Sequence, residues 1–193
     1  MILYEDTRQQ ANKHAVKHEW WDAHGIEVVR ASLTLKTHSI DGGIAPAGDY
    51  CTATSNVCVD TKRNVDEVAS NINGREHKRF IAEIKRAREN GYRIVVLVEN
   101  ELGYTSVGDV VRWVNGHCEK CGLRARHGEE GGCKPLEPSG KCPRHRTVKP
   151  IQGARLHKAM RTIEERYGCE FMFCAPEEAA GKICDLLGVP YER

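Results

Sequence analysis

A chain of 193 residues has room for one ordinary domain with an insertion, and 40% apolar against 29% charged residues suits a globular protein with a real core. No apolar run nears the roughly 18 residues a membrane span needs, and the N-terminus MILYEDTRQQANKHAVKHE lacks a signal peptide's apolar centre, so no membrane partner and a cytoplasmic, intracellular location are expected. A net charge of +2 excludes neither acidic nor basic partners, because distribution matters more than the total.

ILYED (2–6) reads as a first strand. TRQQANKHAVKHEWWDAH (7–24) has helical character, with Ala11, Ala15 and Trp20 towards one side and Gly25 as its stop. Adjacent Trp20 and Trp21 must point to different sides, one into the core and the other half-buried or free to stack on a base. His14, His18 and His24 read as solvated surface histidines. IEVVRASLTL (26–35) is strand-like and KTHSIDGGIAPA (36–47) a loop. GDYCTA (48–53) and NVCVDTK (56–62) form a hairpin around a Thr-Ser-Asn turn. Asn64 caps a helix over 64–72, with Glu67 in the capping-box position. REHKRFIAEIKRAREN (75–90) is a second helix with Phe80, Ile81, Ile84 and Ala87 on its apolar face. YRIVVLVEN (92–100) is the clearest buried strand. VGDVVRWV (107–114) is ambiguous between helix and strand. A helix over 151–168, a strand over 169–174 and a helix over 175–188 close the chain. The order β-α-β-β-β-α-β, an interruption, then α-β-α predicts a layered α/β protein whose hairpin makes the sheet mixed.

The hairpin carries Asp49, Asp60, Lys62 and, beyond it, Asp66. Alternation puts Asp60 and Lys62 on one face. If Asp49 joins them, two carboxylates and an amine converge. Hard cations such as magnesium or manganese take oxygen ligands of this kind. Such an ion stabilises charge on a phosphoryl oxygen. The plain alternative is a turn cap at Asp49 and a surface ion pair between Asp60 and Lys62.

The chain has nine cysteines, an odd number that argues against a full disulfide framework. Cys51, Cys58, Cys169, Cys174 and Cys184 fall in apolar segments and read as buried free thiols. Residues 115–149 differ: they have almost no apolar side chains, and a structureless loop of that length needs something to hold it. Cys118-x-x-Cys121 and Cys142-x-x-His145, 20 residues apart, carry the paired spacing of a tetrahedral structural zinc site. Cys133 is an alternative fourth ligand in place of His145, and His117 and His127 are spare candidates. The segment is also basic, from Lys120 and Arg124 to Arg146 and Lys149, which suits a grip on a phosphate backbone.

The segment GDYCTATSNVCVDTKRNVD resembles the nuclease domain of the XPF family, a branch of the PD-(D/E)XK restriction-endonuclease-like fold. That family carries Gly-Asp, a spacer, Glu-Arg-Lys, three residues and Asp. Gly48-Asp49, Asp60-Thr61-Lys62 and Asp66 stand in those places. ILYEDTRQ resembles the opening strand and its Asp-x-Arg, at Asp6 and Arg8; INGREHKRF resembles the helix entry with its arginine at Arg75. YRIVVLVEN and the closing helix-strand-helix are similar as well. Asp60 stands where the family has glutamate, Thr61 where it has arginine, and Gln9 where it has glutamate. The resemblance implies a restriction-endonuclease-like core over 1–114 and 150–193, interrupted by a zinc-binding insertion over 115–149.

By the same resemblance, Asp49 and Asp60 hold magnesium or manganese with the Thr61 carbonyl, and Lys62 positions the attacking water. Asp6 supports the site, Asp66 orients Lys62 or Arg75, and Arg8 and Arg75 meet phosphate; a helix-start ion pair of Arg75 with Asp66 is the structural alternative. DNA is the expected partner, flapped or branched DNA the family's habit, and a homodimer its common form. No tandem helix-hairpin-helix module is expected to follow, which suits a bacterial or phage protein in DNA repair or recombination, nucleoid-associated when bound. Two other readings compete: a non-catalytic nucleic-acid-binding adaptor that keeps the fold, and an α/β enzyme of small molecules. The lack of a GxxxxGK loop argues against common forms of the last.

Overall fold

The computed structural model describes residues 1–9, 14–33, 47–119 and 150–192. Six strands form one mixed sheet: β1 (Leu3–Asp6), β2 (Val28–Ala31), β3 (Tyr50–Cys51), β4 (Val57–Lys62), β5 (Arg93–Glu99) and β6 (Glu170–Cys174). Their order across the sheet is β2-β1-β3-β4-β5-β6. Only β3 pairs antiparallel with its neighbours, so the other five strands run one way and their C-terminal ends gather along one edge. The predicted hairpin is present, with Tyr50 opposite Val59. Its first strand, β3, is short and lies between β1 and β4.

Helices cover both faces. α2 (Val65–Asn73), α3 (His77–Glu89) and α5 (Gly153–Tyr167) bury one face with Val68, Ile84, Leu156 and Met160 against Cys58, Val96 and Val98. α1 (Ala15–Ala23) and α6 (Ala179–Leu187) bury the other, where Trp21 and Ile183 meet Leu3, Tyr50, Val59 and Leu97. The α3 face is the predicted one: Phe80, Ile81, Ile84 and Ala87 are all buried. Asn64 caps α2 as expected, its side chain accepting the Glu67 N–H at 2.9 Å. Glu67 returns to the Arg63 N–H, one residue before the box position.

Two expectations change and one open reading is resolved. The first helix starts at Ala15 and not at residue 7. The Asp6 carboxylate catches the Arg8 N–H at 2.7 Å and its carbonyl takes the Gln9 N–H, a local turn that competes with helix at those residues. The buried face of α1 holds Lys17 and Trp21, while Ala15 is exposed; Ala11 lies outside the described residues. Of the adjacent pair, Trp21 is in the core, its indole N–H donating to the Ala180 carbonyl, and half-buried Trp20 stacks on His24. Second, the strand expected over 26–35 is regular only at Val28–Ala31, with 34 and 35 outside the described residues. Third, the ambiguous stretch forms a 3-10 helix, Val107–Arg112. Asp109 decides this: its carboxylate accepts from the amides and hydroxyls of Thr105 and Ser106. Those bonds, led by the Thr105 amide, hold its carboxyl down to about 2.

The insertion expected over 115–149 begins inside the folded body: Asn115 is buried and α4 (Gly116–Glu119) follows it. Residues 120–149, with Cys121, Cys133, Cys142 and His145, lie outside the described residues. Cys118 is half-buried, and its Sγ accepts from Gln152 Nε2 at 3.3 Å. No helix among the described residues is long and apolar enough to cross a membrane.

Candidate active site

The strand ends frame a cleft of about 910 Å³, open at the edge where β1, β4 and β5 finish. Ligands of open α/β sheets commonly bind at this edge. Asp49, Asp60, Thr61 and Lys62 line it together, so the structure unites the hairpin carboxylates and the lysine.

Asp49 is placed by its backbone. Gly48 has φ +77°, and a Cβ there would stand 2.7 Å from the Val59 carbonyl oxygen, so only glycine lets the chain pass so close. The Gly48 N–H donates to Glu83 Oε1 on α3, and the Asp49 N–H to the Val59 carbonyl at 2.8 Å. The Asp49 side chain then extends the ladder: Oδ2 accepts the Thr61 N–H at 2.8 Å and the Thr61 hydroxyl at 2.7 Å. Asp60 and Lys62, two apart on β4, share a face and pair directly. Lys62 Nζ lies 2.7 Å from Asp60 Oδ1 and 3.3 Å from the Thr61 carbonyl oxygen.

Burial sets the charges. It pushes the Asp60 carboxyl up to about 6, with Lys62 pulling it down and the Asp49 charge adding to the rise. Burial also raises Asp49 above its ordinary value, against the opposing pull of Lys62, Thr61 and Gln9. For Lys62, burial works against the charge, but Asp60 and Asp49 outweigh it and hold the ammonium above its usual pKa. Shifted groups of this kind, gathered in a cleft, mark a candidate functional site.

The other predicted residues divide. Asp6 is buried on β1 and does not line the cleft. Arg8 grips it with Nε at 3.0 Å and Nη2 at 2.7 Å. That pairing outweighs burial and keeps Asp6 below the usual carboxylate range. Arg8 lines the cleft, but its fork is occupied by Asp6. Asp66 lies on the rim and accepts the Gly116 N–H at 3.3 Å; it bonds neither Lys62 nor Arg75. Arg75 is exposed outside the cleft and forms no ion pair with any described residue, so its expected pairing with Asp66 is absent.

A buried network escaped the sequence reading. Glu5 is fully buried, with Oε2 3.2 Å from His18 Nε2 and 3.3 Å from Arg30 Nε, and Oε1 accepting from the Tyr50 hydroxyl at 3.4 Å. Beyond Tyr50 lie His14 and then Lys17, which pairs with Glu99 at 2.6 Å in the cleft wall. His14 and His18 are therefore half-buried members of a hydrogen-bonded network and not solvated decoration. The signals were present: Lys17 stands four residues before Trp21 on one helical stripe, and Glu99 ends the apolar run of β5. Among the described residues no group of three or more His, Cys, Asp or Glu side chains is gathered to share one ion.

A raised carboxyl has a consequence for stability. The folded protein holds the Asp49 proton more tightly than the unfolded chain does, whose value is near 3.8. Above the raised folded pKa the charged carboxylate therefore costs stability; below 3.8 the cost is gone. Asp49→Asn keeps an acceptor for Thr61 and should raise the melting temperature at alkaline pH by about 2–4 °C, on the order of 1 kcal/mol. The gain should shrink as pH falls towards the carboxylate range. A variant that melts below wild type at alkaline pH would show that Thr61 and Lys62 fully compensate the charge.

No protein-family model matches the chain, and no curated protein matches it.

Proposed function

We propose that the protein is a divalent-metal-dependent endodeoxyribonuclease built on a restriction-endonuclease-like core of the XPF kind. The observation that carries this reading is the convergence of Asp49, Asp60 and Lys62 in one cleft at the C-terminal edge of a mixed sheet. The residues fit magnesium or manganese, which commonly take one or two carboxylates and complete their shell with water. The Lys62 ammonium already sits against Asp60 and the Thr61 carbonyl, which marks those oxygens as a cation-attracting set. Asp49, Asp60 and the Thr61 carbonyl would hold the ion, which would supply positive charge to the reacting phosphate and acidify water.

The chain's own groups do the rest. Thr61 holds the Asp49 carboxylate in place through its amide and hydroxyl. Asp60 holds Lys62, whose ammonium orients the attacking water and meets charge developing on the phosphate. Asp6 acts from behind: it fixes Arg8 at the cleft mouth. Structural zinc on Cys118, Cys121 and Cys142, with His145 or Cys133 as fourth ligand, belongs to the same proposal, as does a homodimer.

The test is cleavage of labelled single-stranded, duplex, flap and four-way-junction DNA with manganese and with chelator. Manganese-dependent strand scission is expected, and the preferred substrate names the structural class. Tight binding of all four with no scission under any divalent ion would make the protein an adaptor.

A further inference from the structure

The cleft wall facing Asp60 and Lys62 holds a second amine–carboxylate pair. Lys17 on α1 puts Nζ 2.6 Å from Glu99 Oε1 and 3.3 Å from His14 Nδ1. Lys62 is level with Val98 across the β4–β5 ladder, so Glu99 stands one residue beyond it. Asp60 and Lys62 share the strand face of Cys58 and Val96, which α2, α3 and α5 cover. Glu99 shares the opposite face with Val95 and Leu97, which α1 and α6 cover. The two pairs thus flank the sheet edge from opposite sides and open into the same cleft.

Stability gives little reason to keep Lys17 there. Desolvating a buried ion pair costs about what its attraction returns. The Lys17 side chain is 7% exposed and that of Lys62 10%, so both ammonium groups are withdrawn from water to the same degree. An oriented ammonium in such a wall meets an arriving anion more strongly than one in solvent. The rim adds Arg63 and Arg79, 78% and 63% exposed and paired with Glu67 and Glu76.

We propose that Lys17, held in position by Glu99, grips a backbone phosphate of the bound nucleic acid next to the phosphate addressed by Asp49, Asp60 and Lys62. This rests on the nucleic-acid reading of the same cleft. The strand would cross the sheet edge with one ammonium on either side, which positions it without reading its bases.

The test uses the full chain with a fluorescent single-stranded oligonucleotide in chelator, so that no cleavage intervenes. The double variant Lys17→Met/Glu99→Gln removes both charges and leaves neither stranded. It should bind about tenfold more weakly at about 0.1 M salt. The slope of log affinity against log salt should fall by about 0.7, the loss of one single-strand phosphate contact. If that variant does not fold, Lys17→Gln/Glu99→Gln keeps a hydrogen bond between the two side chains and carries the same measurement. Wild-type affinity and slope in the folded double variant would overturn the role of Lys17 alone. Absence of oligonucleotide binding by the wild-type protein would overturn the nucleic-acid reading, and this assignment with it.

Discussion

Asp60→Ala should lower manganese-dependent DNA cleavage by about 10³-fold or more while leaving DNA binding intact. The change removes a carboxylate from the cation-attracting set and releases Lys62, whose Nζ is 2.7 Å away. The fold should survive, because Lys62 keeps the nearby charge of Asp49 and because Asp60 resists ionisation in the native protein. Removing a negative charge from the cleft also lessens repulsion of phosphate, so affinity should hold or rise. Lys62→Met should cost about 10²–10³-fold by loss of its contact to water and phosphate.

The same carboxyl sets the pH dependence. With Asp60 pushed up to about 6, the rate should fall as the pH drops through that value, because the protonated acid neither attracts a cation nor anchors Lys62. Raising manganese should move the midpoint down, since the ion competes with the proton. An Asp60→Ala variant that keeps more than a tenth of any wild-type cleavage would remove Asp60 from the proposed reaction and leave the cleft without a chemical centre.

Gly153→Ala should be strongly destabilising. Gly153 opens α5 against the 3-10 helix Val107–Arg112. A Cβ there would stand less than 3.0 Å from the carbonyl oxygens of Val110, Val111 and Trp113. These are backbone atoms, so no side-chain rotation relieves the clash. The helix must lift away, and Leu156 and Met160, which sit in the core below it, lift with it. The expected loss is roughly 3 kcal/mol, about 6–12 °C in melting temperature. Gly181→Ala in α6 is the control: its Cβ would meet the Tyr191 hydroxyl at 3.3 Å and the Trp20 ring at 3.4 Å, ends of side chains that can give. It should stay within about 0.5 kcal/mol of wild type, because helix propensity offsets the squeeze. Equal melting temperatures for the two variants would mean that α5 has slack the structure does not show.

Much of the fold was legible because some signals are local. The spacing of Phe80, Ile81, Ile84 and Ala87 exposes one stripe of α3 to any core it might meet. The run Ile94–Val98 has no polar residue to place, so β5 had to be buried on both faces. Asp60 and Lys62 are two apart on a strand, and the period of a strand alone brings them together. The Asn64 cap is closed within four residues. Periodicity misled where a local turn or a distant partner competed with it. Asp6 turns the chain at Arg8 and delays α1. The buried face of α1 carries a lysine, which no apolar count can find, because Glu99 that accepts it is on β5.

The amino-acid sequence by itself determined most of the elements of this protein, its mixed α/β class and the pairing of Asp60 with Lys62 on β4. Backbone period and capping chemistry act over a few residues and need no partner. The tertiary structure alone decided that β3 lies between β1 and β4, that Asp49 reaches Thr61, and that Arg75 stays outside the cleft. It also decided that Lys17 of α1 meets Glu99 at the end of β5. Each of these depends on which strand ends lie side by side, and that arrangement follows from how two apolar helix layers bury the two faces of one sheet.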